Sequence, residues 1–303
     1  MMKYIVGAYV TAPSLANNSK LDEYAYYESL IESVPDVLGL EIPFWGKEVH
    51  QYGSDFLLDI IPENWQHVIT CIPGTMNHLL KNSKFGLASD DENGRSEAVK
   101  MHKKVNQTLH KMNDKYGKKS VIAVQIATGP SIPVKGVSSS KESFIKSMEE
   151  ILSLDWQGSK VVIEHCDAAS KNSSFEKGFL NIEDEIEIIN FFKDLNSVGM
   201  TINWARSAIE GRSERLPIDH IKLALDNNIL SGLMFSGVSD KDVKYGNWKD
   251  THMPFAQSFG THYYEKNSLL THKNISDTLS LINSYVLDYM GIKILSMPIG
   301  SSS

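Results

Sequence analysis

The sequence predicts one closed parallel (β/α)8 barrel of the TIM type, running through residues 1–303 as a single domain. Three observations predict it. Short runs rich in Val, Ile and Leu alternate with longer segments of helical period, and eight such runs can be read. Runs that are apolar throughout are strands buried on both faces, as a parallel sheet requires. No Pro/Gly/Ser-rich linker divides the chain, and ~250 residues is an ordinary size for one barrel. The rival, an open doubly wound sheet, usually carries a glycine-rich turn after its first strand. Here that place reads Val10-Thr11-Ala12-Pro13-Ser14.

The expected strands are Tyr4 to Val10, Val37 to Ile42, His67 to Ile72, Val121 to Ala127, Lys160 to Ile163, Met200 to Trp204, Leu230 to Phe235 and Ile292 to Met297. Helices are expected at Lys20 to Val34, with Leu21, Tyr24, Leu30 and Ile31 on its apolar side, and at Ser96 to Tyr116. Two more open on a capping-box spacing, Ser139 with Glu142 and Asn181 with Asp184. Ile275, Leu279, Ile282, Val286 and Tyr289 make a last apolar stripe. The sequence stops just after the eighth run, so the eighth helix is expected to be missing or replaced. Long strand-to-helix loops are expected at 75–93, 128–138 and 236–272, on the face where such barrels carry their chemistry.

A net charge of −7 disfavours a nucleic-acid footprint. Two cysteines, Cys71 and Cys166, make neither a disulfide framework nor a zinc knuckle. No apolar run reaches the ~20 residues that cross a bilayer, and no signal-peptide pattern opens the sequence. The expectation is a cytoplasmic protein that acts on a small polar or sugar-like ligand, with no nucleic acid and no membrane, and compatible with a homo-oligomer.

Candidate site residues stand at the strand ends. The fifth run continues Ile163-Glu164-His165-Cys166-Asp167. Glu164 reads as a metal ligand or general base, or else as a buried carboxylate paired to an arginine. His165 is a further catalytic candidate, Asp167 a metal ligand, and Cys166 a small buried residue. Arg206 can clamp an anionic group with its planar fork, or pair Glu210 or Asp167 within the protein. Glu41, Gln125, Asn203 and Ser236 close other strands as substrate-binding candidates, and His252 joins them from the longest loop.

Taken at Gly39-Leu40-Glu41, Val162-Ile163-Glu164 and Ile202-Asn203, the chain resembles the xylose-isomerase-like barrels, which include sugar-phosphate isomerases/epimerases and the endonuclease-four group. The resemblance implies a fifth-strand glutamate that binds a divalent cation (manganese, magnesium or zinc) and works as an acid/base. Glu164 matches it and Asn203 holds the sixth-strand place; with Asp167 added as a ligand that could make up for missing ones, as His165 or His252 could, Glu164, Asn203 and Asp167 are the candidate metal set. The family's seventh-strand histidine is replaced by Phe235-Ser236, and its eighth-strand glutamate by Leu295-Ser296-Met297-Pro298. Three readings follow: a sugar or sugar-derivative isomerase/epimerase, a metal-assisted hydrolase or lyase, and a non-catalytic barrel for a small ligand.

Overall fold

A computed structural model describes residues 4–297, apart from 18, 35, 170–174, 196, 259 and 261. Eight strands close into one barrel: β1 (Tyr4–Val6), β2 (Gly39–Pro43), β3 (His67–Thr70), β4 (Val121–Ile126), β5 (Lys160–His165), β6 (Val198–Asn203), β7 (Leu230–Phe235) and β8 (Tyr289–Ile292). Every neighbouring pair is parallel, and β8 returns to β1. The helices are α1 (Lys20–Ser33), α2 (Ser54–Ile60), α3 (Ile72–Leu79), α4 (Glu92–Tyr116), α5 (Lys141–Leu152), α6 (Ile182–Phe191), α7 (Trp204–Gly211), α8 (Leu216–Asp226) and α9 (His272–Ile282). The apolar shell between strands and helices forms one large core.

Local sequence explains most boundaries. Asn181 caps α6 by accepting from the Asp184 N–H, and Gly117 ends α4 in the left-handed conformation, which costs glycine nothing. The fifth helix starts one residue later than its spacing predicts, because Ser140, not Ser139, accepts from the Ser143 N–H.

Other expectations are corrected. On α1, Leu21 and Tyr24 are exposed and the buried positions are Glu23 and Tyr27, since Glu23 is held by Ser14 and His50. The segment 75–93 is a loop only in part, because α3 runs to Leu79 and α4 begins at Glu92. The stripe after Ile275 ends at Ile282: Val286 is exposed and Tyr289 belongs to β8. The eighth strand therefore lies three residues earlier than expected, and Pro298 falls outside the described residues. Among the described residues no helix follows β8, and none is long and apolar enough to cross a membrane.

Inside the barrel two layers are stacked. The lower one is apolar, with Ile5, Val68, Val162, Met234 and the Tyr289 ring in one separate cluster. Two residues further along β3 and β5, on the same inward face, come Thr70 and Glu164. The Tyr289 hydroxyl joins the layers, bonding to Thr201 and, at 3.2 Å, to the Gln125 amide. Gly232 leaves space for that ring, since a Cβ there would lie 2.3 Å from it.

Tyr289→Phe should keep the barrel but lose ~1–3 kcal/mol, the cost of leaving buried partners without their bond. Urea unfolding with unchanged far-ultraviolet circular dichroism is the measurement, and a variant as stable as the parent would disprove the coupling of the layers.

Candidate active site

The upper layer of the barrel is charged. Glu41 enters from β2, Glu164 from β5 and Gln125 from β4, and all three are fully buried. Lys293 follows β8 directly, and its ammonium lies 2.6 Å from Glu41 Oε2 and 4.0 Å from Glu164 Oε1. Arg206, in the first turn of α7, reaches back over β5 to pair with the same Glu164 oxygen. Thr70 donates to Glu164 Oε2 at 3.1 Å. With its amide nitrogen turned toward the acids, Gln125 donates to Glu41 at 3.0 Å and to Glu164 at 3.2 Å. Gly7 makes the space, because a Cβ there would meet Lys293 Cγ at 2.9 Å and Glu41 Oε2 at 3.2 Å.

A roof covers this layer. From the long loop after β7, Asp250 receives the Arg206 Nε–H at 3.0 Å and pairs with Lys177. His252 sits 3.4 Å from Asp250, and its carbonyl accepts from the Leu295 N–H. Both Trp248 and His252 have positive φ, which marks a loop held in a fixed, disfavoured path. Asn203 and Ser236 meet at 2.8 Å beside it, and Asn203 also caps α7. Several buried polar atoms find no hydrogen-bond partner, among them Asn203 Nδ2 and Asp167 Oδ1, while Lys293 Nζ and Glu164 Oε1 meet their partners only as ion pairs.

Burial sets the titration behaviour. It lifts the Glu41 carboxyl above the usual carboxylate range, although Lys293 pulls against it. Burial would discharge Lys293, but Glu41, Tyr9 and Glu164 together outweigh it and hold the ammonium charged. Asp250 goes the other way: Lys177 and Arg206 overcome burial and hold its carboxyl well below its ordinary value. Burial drives His252 down to about 3, so it is neutral.

The candidates of the sequence thus fall into two groups. Glu41, Gln125, Glu164 and Arg206 meet at the barrel centre, and His252 belongs to the roof above them. His165 does not join them, which corrects its placement at the mouth. Strand alternation turns it outward, where it bonds Glu185 on α6 and Glu210 on α7. The candidate metal set is corrected too. Glu164 is taken by Arg206 and Lys293, Asn203 by the start of α7 and Ser236, and Asp167 by the backbone N–H groups of Glu176 and Lys177. Sequence reasoning missed Lys293, Lys177 and Asp250. Only Lys293 left a signal, a lone lysine in an apolar run behind the glycine of Gly291.

A divalent cation does not fit this centre. Glu41, Glu164 and Asp250 are matched by Lys293, Arg206 and Lys177, so the acids already have their countercharge. A further double charge would stand a few ångströms from two fixed cations, with neither Glu41 nor Glu164 left unpaired to offset the repulsion.

Beside the centre lies a pocket of about 430 Å³ whose walls include Tyr9, Trp45, Glu48, His50 and Asn77. Tyr9 is its link to the charges, since its ring lies 5.6 Å from the Lys293 ammonium on one side and edge-on to Trp45 on the other.

A family model described as a domain of unknown function, DUF4862, matches residues 5–303. An uncharacterized protein of Salmonella typhimurium is 36% identical over 294 residues, 97% of this chain and 90% of that protein. Among solved structures, a zinc-binding IolI protein superposes with a TM-score of 0.58 at 14% identity, over 98% of this chain and 90% of that one. A putative xylose isomerase from Rhodospirillum rubrum gives 0.57 at 10% identity, over 100% and 93%. The fold is that of the xylose-isomerase-like TIM barrels.

Lys293→Met should cost ~3–5 kcal/mol, because it strands the buried charge of Glu41. Adding Glu41→Gln to it should restore part of that loss. A double-mutant cycle by denaturant unfolding measures the coupling, and additive losses would contradict the pairing.

Proposed function

The chain belongs to the DUF4862 family, and from the centre it builds we propose that it is a sugar or sugar-derivative isomerase or epimerase whose countercharge is a lysine and an arginine. One observation carries the reading: two inward carboxylates, Glu41 and Glu164, share the Lys293 ammonium, with the Arg206 guanidinium on the second of them. That set is what proton transfer beside a carbonyl needs. A carboxylate removes the proton, and positive groups bear the charge that develops on the oxygens of the enediolate.

In this reading Glu164 takes the proton and, now protonated, returns it to the enediolate, while Glu41 keeps the Lys293 ammonium charged and in place. Lys293 and Arg206 hold the substrate oxygens in the places now filled by carboxylate oxygens. The aromatic pocket at Tyr9 and Trp45 receives the rest of the molecule, and the unpartnered Asn203 amide faces one more polar group. Because Glu164 has no exposed surface, the Asp250 roof or the Tyr9 ring has to move for substrate to enter. Loops over barrel mouths commonly do so. The similarity to xylose-isomerase-like structures supports a reaction of this class and does not choose the substrate.

The test is solvent exchange. With a panel of aldoses, ketoses and their phosphates in deuterated water, the protein should place deuterium at the carbon beside the carbonyl of its substrate. Glu164→Gln should abolish exchange, and Lys293→Gln should slow it by ~10²–10³, as loss of one oxyanion donor does. Absence of exchange across the panel, or full exchange in Glu164→Gln, would refute the reading.

A further inference from the structure

The outward face of β5 builds a second constellation. His165 projects away from the barrel into the space between β5 and the helices α6, α7 and α8. Its Nε2 lies 3.1 Å from Glu210 Oε2, and Glu210 Oε1 lies 3.8 Å from His220 Nε2. The two imidazole rings stand edge to face with centroids 4.8 Å apart. Among the described residues, one donor atom each from His165, Glu210 and His220 falls within 4.8 Å of the others. A tetrahedral zinc ion, with ligands at ~2.0–2.1 Å, needs donor atoms ~3.3 Å apart.

The other ring nitrogens are already engaged as metal-bound histidines require. His165 Nδ1 meets the fully buried Glu185 carboxylate at 2.7 Å, and His220 Nδ1 meets Ser207 Oγ at 2.9 Å. Glu185 accepts from His165 Nδ1, and in the empty site Nε2 donates to Glu210, so a metal ion would take the place of that Nε2 proton, while Ser207 holds the His220 ring with its Nε2 toward Glu210. Such outer partners orient ligands and raise their basicity. Glu185 is itself anchored by the Thr128 hydroxyl at 2.7 Å, and Glu210 Oε2 by the Ala168 N–H at 2.8 Å. Glu210 is the one partly exposed member, so an ion has a route in.

We propose that His165, Glu210 and His220 form a site for one divalent transition metal, zinc above all, on the outside of the barrel behind Glu164. Two neutral imidazoles and a carboxylate suit that ion, and solvent takes the remaining position. The site is distinct from the charged centre, whose cations exclude a metal. It is also connected to it. His165 follows Glu164 on β5, and Glu210 stands one helical turn after Arg206 on α7. An ion here ties together the two elements that carry the Glu164–Arg206 pair, so its role is structural and positioning.

The experiment uses the whole protein, dialysed against a chelator and then titrated with zinc or cobalt(II). Calorimetry should find one ion per chain, and the melting temperature should rise with it. Cobalt(II) should give visible d–d absorption and two exchangeable, hyperfine-shifted histidine N–H resonances. Among the described residues the barrel centre has only His252 to offer, so two resonances identify this site even where variants fold poorly. Glu210→Gln and His220→Asn should each weaken the affinity at least tenfold. Wild-type protein that binds no stoichiometric ion, a cobalt spectrum without two histidine resonances, or undiminished affinity in folded forms of both variants would overturn the proposal.

Discussion

Everything at the barrel's upper end depends on the neutralisation of buried charge. An isolated carboxylate taken from water into a protein interior loses several kcal/mol even after relaxation, and it survives there only with a partner. This barrel buries Glu41, Glu164 and Asp250 and answers them with Lys293, Arg206 and Lys177. The pairs are not independent, since Lys293 stands between two acids and Arg206 stands between Glu164 and Asp250. Removal of one member therefore leaves its neighbour exposed to the full desolvation cost. The network joins β2, β5, the end of β8, the start of α7 and the loop after β7.

The same constraint decides what chemistry the centre can host. A barrel that uses a metal leaves its carboxylates unpaired until the ion arrives. Here the protein supplies the cations from its own chain, and the dielectric penalty is met at folding. An incoming oxyanion would find Lys293 and Arg206 already oriented, with no reorganisation left to do, and preorganised charge of that kind is the main source of stabilisation in water-excluded sites. In the proposed reading the pocket beside Tyr9 complements it, because hydroxyl groups of a substrate would meet Glu48, His50 and Asn77 and its apolar face would lie on Trp45 and Tyr9.

Legibility in the sequence followed periodicity. The eight apolar runs are strong signals, and Glu41, Gln125 and Glu164 stand inside or at the end of such runs, so strand alternation places them inward. Glu164 and His165 show how much rests on that parity: adjacent in sequence, they serve opposite faces of one strand. The eighth strand was misplaced because Ile292-Lys293-Ile294-Leu295 is as apolar as a strand, whereas the pairing is set earlier, where Gly291 lets Ile5 and Met234 approach. That slip hid Lys293. Asp250 and Lys177 lie in loops without period, and only the folded chain shows that they meet.

The roof gives the last step. Asp250 holds Arg206 and Lys177 together, and its depressed carboxyl shows that the charged form is the one the fold favours. A group with a lowered folded-state value contributes stability above the ordinary carboxylate range and loses it only as the pH falls toward that lowered value. The latch is thus fully formed at neutral pH, and acid is not what opens it. What can compete is another anion offered to Arg206. A substrate oxyanion that takes over that guanidinium would release Asp250 from half of its countercharge and loosen the loop above the site. In the proposed reading, entry of ligand and movement of the roof are one exchange of ion-pair partners, and the closed centre is the state before it.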